Sequence, residues 1–300
     1  MASARGVISK KSNLGLSPRI RDYYELTKPE VNLLILITTS AGYYLGNPSS
    51  FHFSGLANTL IGTLLVASGT ATLNQFMERS YDAQMRRTSN RPVASGRLAP
   101  RNACAFGVLL SVVGGLYLWL TVNPLAAALA ISTLLSYLLI YTPLKRVTPL
   151  CTLLGSIPGA MPTLIGWAGA SASLNRQAGV LFAVLFLWQF PHFLAIALMY
   201  REDYERAGYK MLPAFDVEGR FTRAEILAFT VGLMLVTVFP GAGKAAGVPY
   251  LVAMLGAGAF FLYYSGKLAL ASSRNAARHL VHASVAYLPM ALLAMVVFRR

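Results

Sequence analysis

Nine apolar runs recur along this chain of 300 residues, each bounded by polar or turn-forming segments, and they leave few folds open to it. They are Val31 to Leu45, Leu56 to Met77, Ala103 to Val122, Leu125 to Tyr141, Pro149 to Gly169, Gly179 to Tyr200, Ile226 to Pro240, Pro249 to Gly266 and Val281 to Phe298. The first and seventh are the shortest, near the lower limit for a span. In lipid only a helix satisfies the backbone polar groups of such a run within the run itself. The expected fold class is all-α: a polytopic membrane protein of nine transmembrane helices. These form one domain, 29–300, behind a basic cytoplasmic N-terminal segment, 1–28.

The distribution of charge gives the expected orientation. The net charge of +15 suggests nucleic acid until the basic residues are placed on the chain. They lie in short segments between apolar runs. With the N-terminus cytoplasmic, all 26 except Arg176, Lys244, Arg299 and Arg300 fall on the inner side, as do all 11 acids. This predicts the N-terminus inside and the C-terminus outside. No apolar stretch precedes Val31, which argues against a cleaved secretory signal. Cys104 and Cys151 lie inside apolar runs and read as small core residues.

The chemistry concentrates in N-Q-F-M-E-R-S-Y-D-A-Q-M-R-R-T-S-N-R-P, Asn74 to Pro92. Asn74, Glu78 and Asp82 are spaced four apart at the end of the second apolar run, so a helix aligns them on one face, rising about 6 Å per step. Arg86, Arg87 and Arg91 follow. Carboxylates that hold a hard cation, beside guanidinium groups that clamp an anion, suit a diphosphate carried with Mg²⁺. A carboxylate at the centre of a span costs about 2.5–3.5 kcal/mol, so Glu78 and Asp82 are expected near the interface or in a polar cavity.

A second polar loop follows the sixth run. It carries Glu202 and Asp203 with Arg201, Arg206 and Lys210, while His192 lies within the run itself, directly after Pro191. The two polar clusters are expected to face one another across an inward-opening cavity. Ordinary alternatives stand beside each of these readings. The acids cap a helix end, the arginines obey membrane topology, and His192 is a hydrogen-bonded core residue. No Walker loop, dinucleotide fingerprint or H-E-x-x-H site is present, so soluble nucleotide chemistry has no support.

The run N-x-x-x-E-x-x-x-D-x-x-M-x-R-T-x-x-R-P resembles the first acidic motif of the UbiA-type intramembrane prenyltransferases, in the version carried by their haem-modifying branch. Four further stretches share the likeness: T-K-P-E-V from Thr27, Y-T-P-L-K-R from Tyr141, G-A-M-P-T-L-I-G-W from Gly159, and Q-F-P-H-F with E-D-Y-E-R-A-G-Y-K-M-L-P. Where quinone-type members carry a second pair of aspartates, this chain has His192 and Phe193, then Glu202 and Asp203.

The resemblance implies a UbiA-type bundle that transfers the farnesyl group of farnesyl diphosphate to a vinyl group of protohaem IX. It implies Mg²⁺ held by Asn74, Glu78 and Asp82, with Asp203 as a further candidate, and Arg86, Arg87 and Arg91 on the leaving diphosphate. Lys145, Arg146, Glu202, Asp203, Arg206 and Lys210 are candidates for the diphosphate or the haem propionates, and His192 for the face that meets haem. The implied setting is the lipid bilayer of a bacterial plasma membrane, or of a mitochondrial inner membrane with the same topology, with a haem a synthase or oxidase-assembly factor as partner. The competing readings are a quinone or chlorin prenyltransferase, a transporter, and a haem-binding assembly factor.

Overall fold

The structure, a computed structural model, describes residues 17–47, 51–216, 218–242, 247–271 and 273–298. Among the basic residues that define the charge pattern, Arg5, Lys10, Lys11, Lys244, Arg299 and Arg300 lie outside these. Every apolar run is helical, and no strand occurs among the described residues. A short helix α1 (Pro18–Leu26) precedes α2 (Pro29–Gly46), α3 (Phe53–Asp82), α4 (Pro100–Thr121) and α5 (Pro124–Leu135). The last of these continues through a π-helical turn, Ser136–Tyr141, into Thr142–Leu144. Then come α6 (Cys151–Ser171), α7 (Arg176–Met199), α8 (Arg220–Ala242), α9 (Gly247–Ala271) and α10 (Arg274–Val297). Between α7 and α8 the chain forms two small helical pieces, Arg201–Arg206 and Leu212–Phe215.

Seven of these segments are long and apolar enough to cross a membrane. The two long helices outside that set are α2 and α6, and the reason lies in their neighbours. Polar and small residues make up much of both, and the two helices pack on each other. A Cβ on Gly42 would overlap the Thr163 carbonyl oxygen, and one on Gly166 would overlap the Thr39 carbonyl oxygen. The backbones therefore meet directly, as small residues allow between helices in lipid. Gly166→Val is expected to lower stability by about 1–3 kcal/mol through forced separation of this seam. Gly256→Ala, where an added Cβ meets nothing within 4 Å, is expected to be nearly silent. Thermal unfolding of both variants in detergent checks this.

α6 also touches α3, α5 and α7, and so joins two halves of the bundle. One half buries Val66, Leu118, Ala127, Ala130 and Ile165. The other, larger core holds Leu194, Ile226, Leu233, Met254, Phe261 and Tyr287 from α7 to α10. α10 reaches back to α2. α7 runs unbroken through Pro191, from Arg176 to Met199. Neighbouring helices re-satisfy what a proline frees in a tightly packed bundle.

Candidate active site

The length of α3 sets the position of the site. Its 30 residues span about 45 Å, more than the roughly 30 Å of a bilayer's hydrocarbon core, so the helix is long enough for its last turns to extend past an apolar layer. Asn74, Glu78 and Asp82 occupy those turns, and all three are buried: Glu78 is 5% exposed and Asp82 1%. The expected single face is real. The Asn74 amide Nδ2 donates to Glu78 Oε2 at 2.9 Å and to Thr142 Oγ1 at 3.3 Å.

Each buried carboxylate has its own cation. Lys145 Nζ donates to Glu78 Oε1 at 2.9 Å, and the Tyr209 hydroxyl donates to the same oxygen at 3.0 Å. Arg91 Nη1 lies 2.7 Å from both oxygens of Asp82. The loop after α3 folds back to bring Arg91 there, held by the Thr88 hydroxyl donating to the Asp82 carbonyl at 2.9 Å. Arg97 ties the far side of this loop to α1, donating to Asp22 and Glu25, each at 2.8 Å.

Lys145 owes its place to the π turn. Pro143 has no N–H to continue an α-helical ladder, and the Thr142 hydroxyl donates five residues back to the Tyr137 carbonyl at 2.8 Å. The wider turn sets Tyr137 and Tyr141 beside the ammonium, which lies 4.5 Å from the Tyr141 ring centroid.

A third cation comes from the junction of α1 and α2. Lys28 Nζ donates to Asn74 Oδ1 at 3.3 Å, from a backbone at φ 51° that a side chain rarely adopts. Burial first, then the nearby Arg91, lower its pKa to about 7. An anion set beside it acts in the opposite sense, favouring the charged ammonium. Tyr209, by contrast, has its pKa raised, first by burial and then by Glu78, and so stays a neutral donor.

Two further cations lack a carboxylate partner among the described residues. Arg146 donates to the Tyr81 hydroxyl at 2.6 Å, and Arg87 donates to the Tyr204 hydroxyl at 3.3 Å with its guanidinium 5.1 Å from the Tyr200 ring centroid. Both are exposed at the rim.

The second polar loop does fold against the first. Tyr204, Ala207, Tyr209 and Met211 pack with Tyr81 and Met85. Its contribution differs from the expectation, however. Asp203 is buried against Arg206 at 3.1 Å, Glu202 and Arg86 are exposed, and Lys210 gives its backbone N–H to the Lys145 carbonyl at 2.7 Å while its side chain is exposed. What reaches Glu78 is Tyr209. Sequence reasoning missed Tyr209 and Lys28 as site residues. The K-P pair that opens T-K-P-E-V was the visible signal for Lys28. Tyr209 lies 131 residues from its partner and had none.

His192 is half-buried on α7. Its Nδ1 is 2.6 Å from Ser284 Oγ on α10, and its ring stacks on Trp188 at 4.7 Å.

No group of three His, Cys, Asp or Glu side chains that could hold a metal ion exists among the described residues. These residues alone therefore build no closed cation cage. Two buried carboxylates and an amide oxygen do fit Mg²⁺, which binds through one or two carboxylates and completes its shell with substrate phosphates and water.

A bundle of long apolar helices that gathers two buried carboxylates and a surplus of cations at the end of α3 defines a polytopic membrane protein with a charged cluster among its helices. The chain belongs to the UbiA prenyltransferase family, whose description it matches over residues 35–291. It is 48% identical over 280 residues to the protoheme IX farnesyltransferase of Solibacter usitatus, covering 90% of this chain and 96% of that protein. With the protoheme IX farnesyltransferase of Koribacter versatilis it shares 40% identity over 295 residues, 95% of each. Among solved structures, a UbiA homolog from Archaeoglobus fulgidus bound to GPP and Mg2+ aligns with a TM-score of 0.62 at 13% identity, over 91% of this chain and 99% of that one. A structure described under the biosynthesis of digeranylgeranylglyceryl phosphate synthase in membranes aligns with a TM-score of 0.78 at 18% identity, over 94% and 99%. At these identities the likeness speaks for the fold.

Proposed function

We propose that the chain transfers the farnesyl group of farnesyl diphosphate to a vinyl group of protohaem IX, with addition of water, to give haem o. The observation that carries this is the imbalance of charge at the end of α3. Five cations, Lys28, Arg87, Arg91, Lys145 and Arg146, gather around the last turns of α3 and the loop behind it, where the buried carboxylates are two. The names of the relatives supply the acceptor.

Asn74, Glu78 and Asp82 are the residues that would hold Mg²⁺. When bound, the ion supplies charge neutralisation for the diphosphate. Lys145 and Arg91 are the cations that exchange a carboxylate for a phosphate oxygen as the diphosphate arrives, Lys28 adds charge from beside Asn74, and Arg87 and Arg146 add it from the rim. The carbon–oxygen bond that breaks lies where the bundle turns apolar, so the allylic carbon is kept from water until the vinyl carbon attacks. His192, set back in the apolar part of α7, marks the haem side. Glu202, Asp203, Arg206 and Lys210 serve the outer rim, where propionates or the diphosphate pass, and Arg86 joins them.

The basic residues support a nine-span topology with the N-terminus inside, the site on the cytoplasmic face of a bacterial plasma membrane, and one catalytic domain over 29–300. Incubation of the purified protein with Mg²⁺, farnesyl diphosphate and either protohaem or 4-hydroxybenzoate tests the acceptor. The expected result is a mass gain of farnesyl plus hydroxyl on protohaem alone, with diphosphate and the second proton of the water released. A prenylated hydroxybenzoate would move the chain to the quinone-type reading.

A further inference from the structure

The haem reading above leaves open how the acceptor is oriented, and the hydrogen-bond accounting around His192 bears on that. A serine hydroxyl has one proton, and Ser284 Oγ gives it to the Val281 carbonyl at 2.7 Å. In its contact with His192 Nδ1 at 2.6 Å the hydroxyl oxygen is therefore the acceptor, and Nδ1 carries the hydrogen. In the neutral ring this leaves the Nε2 lone pair bare at the opposite edge.

The ring is also fixed in direction. Trp188 stacks on it at an interplanar angle of 17°, and the Trp188 indole N–H donates to the carbonyl of the same Ser284 at 2.8 Å. One residue of α10 thus holds two neighbouring side chains of α7.

Nε2 has no hydrogen-bond partner among the described residues. Nor is it one of their enclosed unpartnered polar atoms, which are Gln75 Oε1, Trp167 Nε1 and Thr222 Oγ1. It therefore opens onto accessible space. A bare imidazole nitrogen facing lipid would gain nothing from this arrangement, whereas one facing a substrate cavity is a metal ligand in the required tautomer. Its depth also suits the reaction. His192 precedes the end of α7 by about 10 Å and Asn74 precedes the end of α3 by about 12 Å, on helices that run in the same direction across an alternating bundle.

We infer that His192 Nε2 is an axial ligand to the iron of the protohaem substrate, with Ser284 and Trp188 as its positioning residues. Coordination fixes the plane of the porphyrin, and with it the distance of a vinyl group from the allylic carbon. Only a coordinate bond from Nε2 to iron forms.

The test is a titration of ferric protohaem into the purified protein in detergent, read by the Soret band and by electron paramagnetic resonance. The wild type should show an imidazole-ligated iron. His192→Ala should lose that signature and regain it on addition of free imidazole, and His192→Met should replace it with a thioether-type signature. Ser284→Ala should keep the ligand but weaken haem binding about 10–100-fold. An unaltered spectrum and affinity in His192→Ala, or the absence of an imidazole signature in the wild type, overturns the inference. Should His192→Ala also lose farnesyl diphosphate binding, His192→Met decides, since an unchanged imidazole spectrum there is equally fatal. Product formation measured on the same preparations separates the two proposals. Farnesylated haem with no role for His192 in the spectrum removes only the ligand, and no farnesylated haem in any preparation removes the function.

Discussion

Asp82→Asn is expected to lower farnesyl transfer on the order of 10³-fold while leaving haem binding in place, because it keeps the shape of the side chain and removes only its charge. Asp82 is 1% exposed and its two oxygens share a single guanidinium nitrogen of Arg91, so nothing in its surroundings favours a neutral amide. The asparagine amide would also turn donors toward Arg91. The loss is expected in the chemical step, since the carboxylate's proposed task is to hold the Mg²⁺ that offsets charge on the leaving diphosphate. Single-turnover product formation, followed by mass across a range of Mg²⁺, checks this. An Asn variant within a few-fold of wild type would mean that Asp82 only anchors the loop carrying Arg91.

Lys145→Met is expected to destabilise the protein by about 3–5 kcal/mol, the largest single effect on stability at this end of the bundle. The reason is what remains. Glu78, 5% exposed, keeps the Tyr209 hydroxyl and the Asn74 amide, but loses the ammonium bonded to it. The double change Glu78→Gln with Lys145→Met removes both charges of the pair together, leaving neither unpaired, and is expected to recover most of the loss. Thermal unfolding in detergent of the two single variants and the double variant gives the coupling directly. A loss in the double variant equal to the sum of the two single losses would show that the ion pair is not a unit. Activity separates the question of function from that of folding, since the double variant should be stable and inactive.

The helices were legible because apolar runs in lipid have one way to satisfy their backbone, and each run expected from the sequence lies within or along an observed helix. The spacing of Asn74, Glu78 and Asp82 was legible because they share one helix. What was hidden depends on other elements. The site's cations come from the α1–α2 junction, the loop behind α3 and the end of α5, and no local pattern states which of many basic residues turns inward. Lys28 turns inward through a left-handed backbone that no propensity anticipates. The second loop was expected to bring its acids and brings a tyrosine instead, because Asp203 spends its charge on Arg206, three residues along. The seam between α2 and α6 explains the weak apolarity of those two helices better than shortness does.

The π turn at Ser136–Tyr141 has a consequence for how such a site arises. Removing one residue from it would restore a regular helix and rotate everything beyond by about 100°, carrying the ammonium of residue 145 round to another side. The meeting of Lys145 and Glu78 is thus a matter of counting. A single extra position in an otherwise ordinary helix, once inserted, aims a side chain that no substitution at that side chain could have aimed.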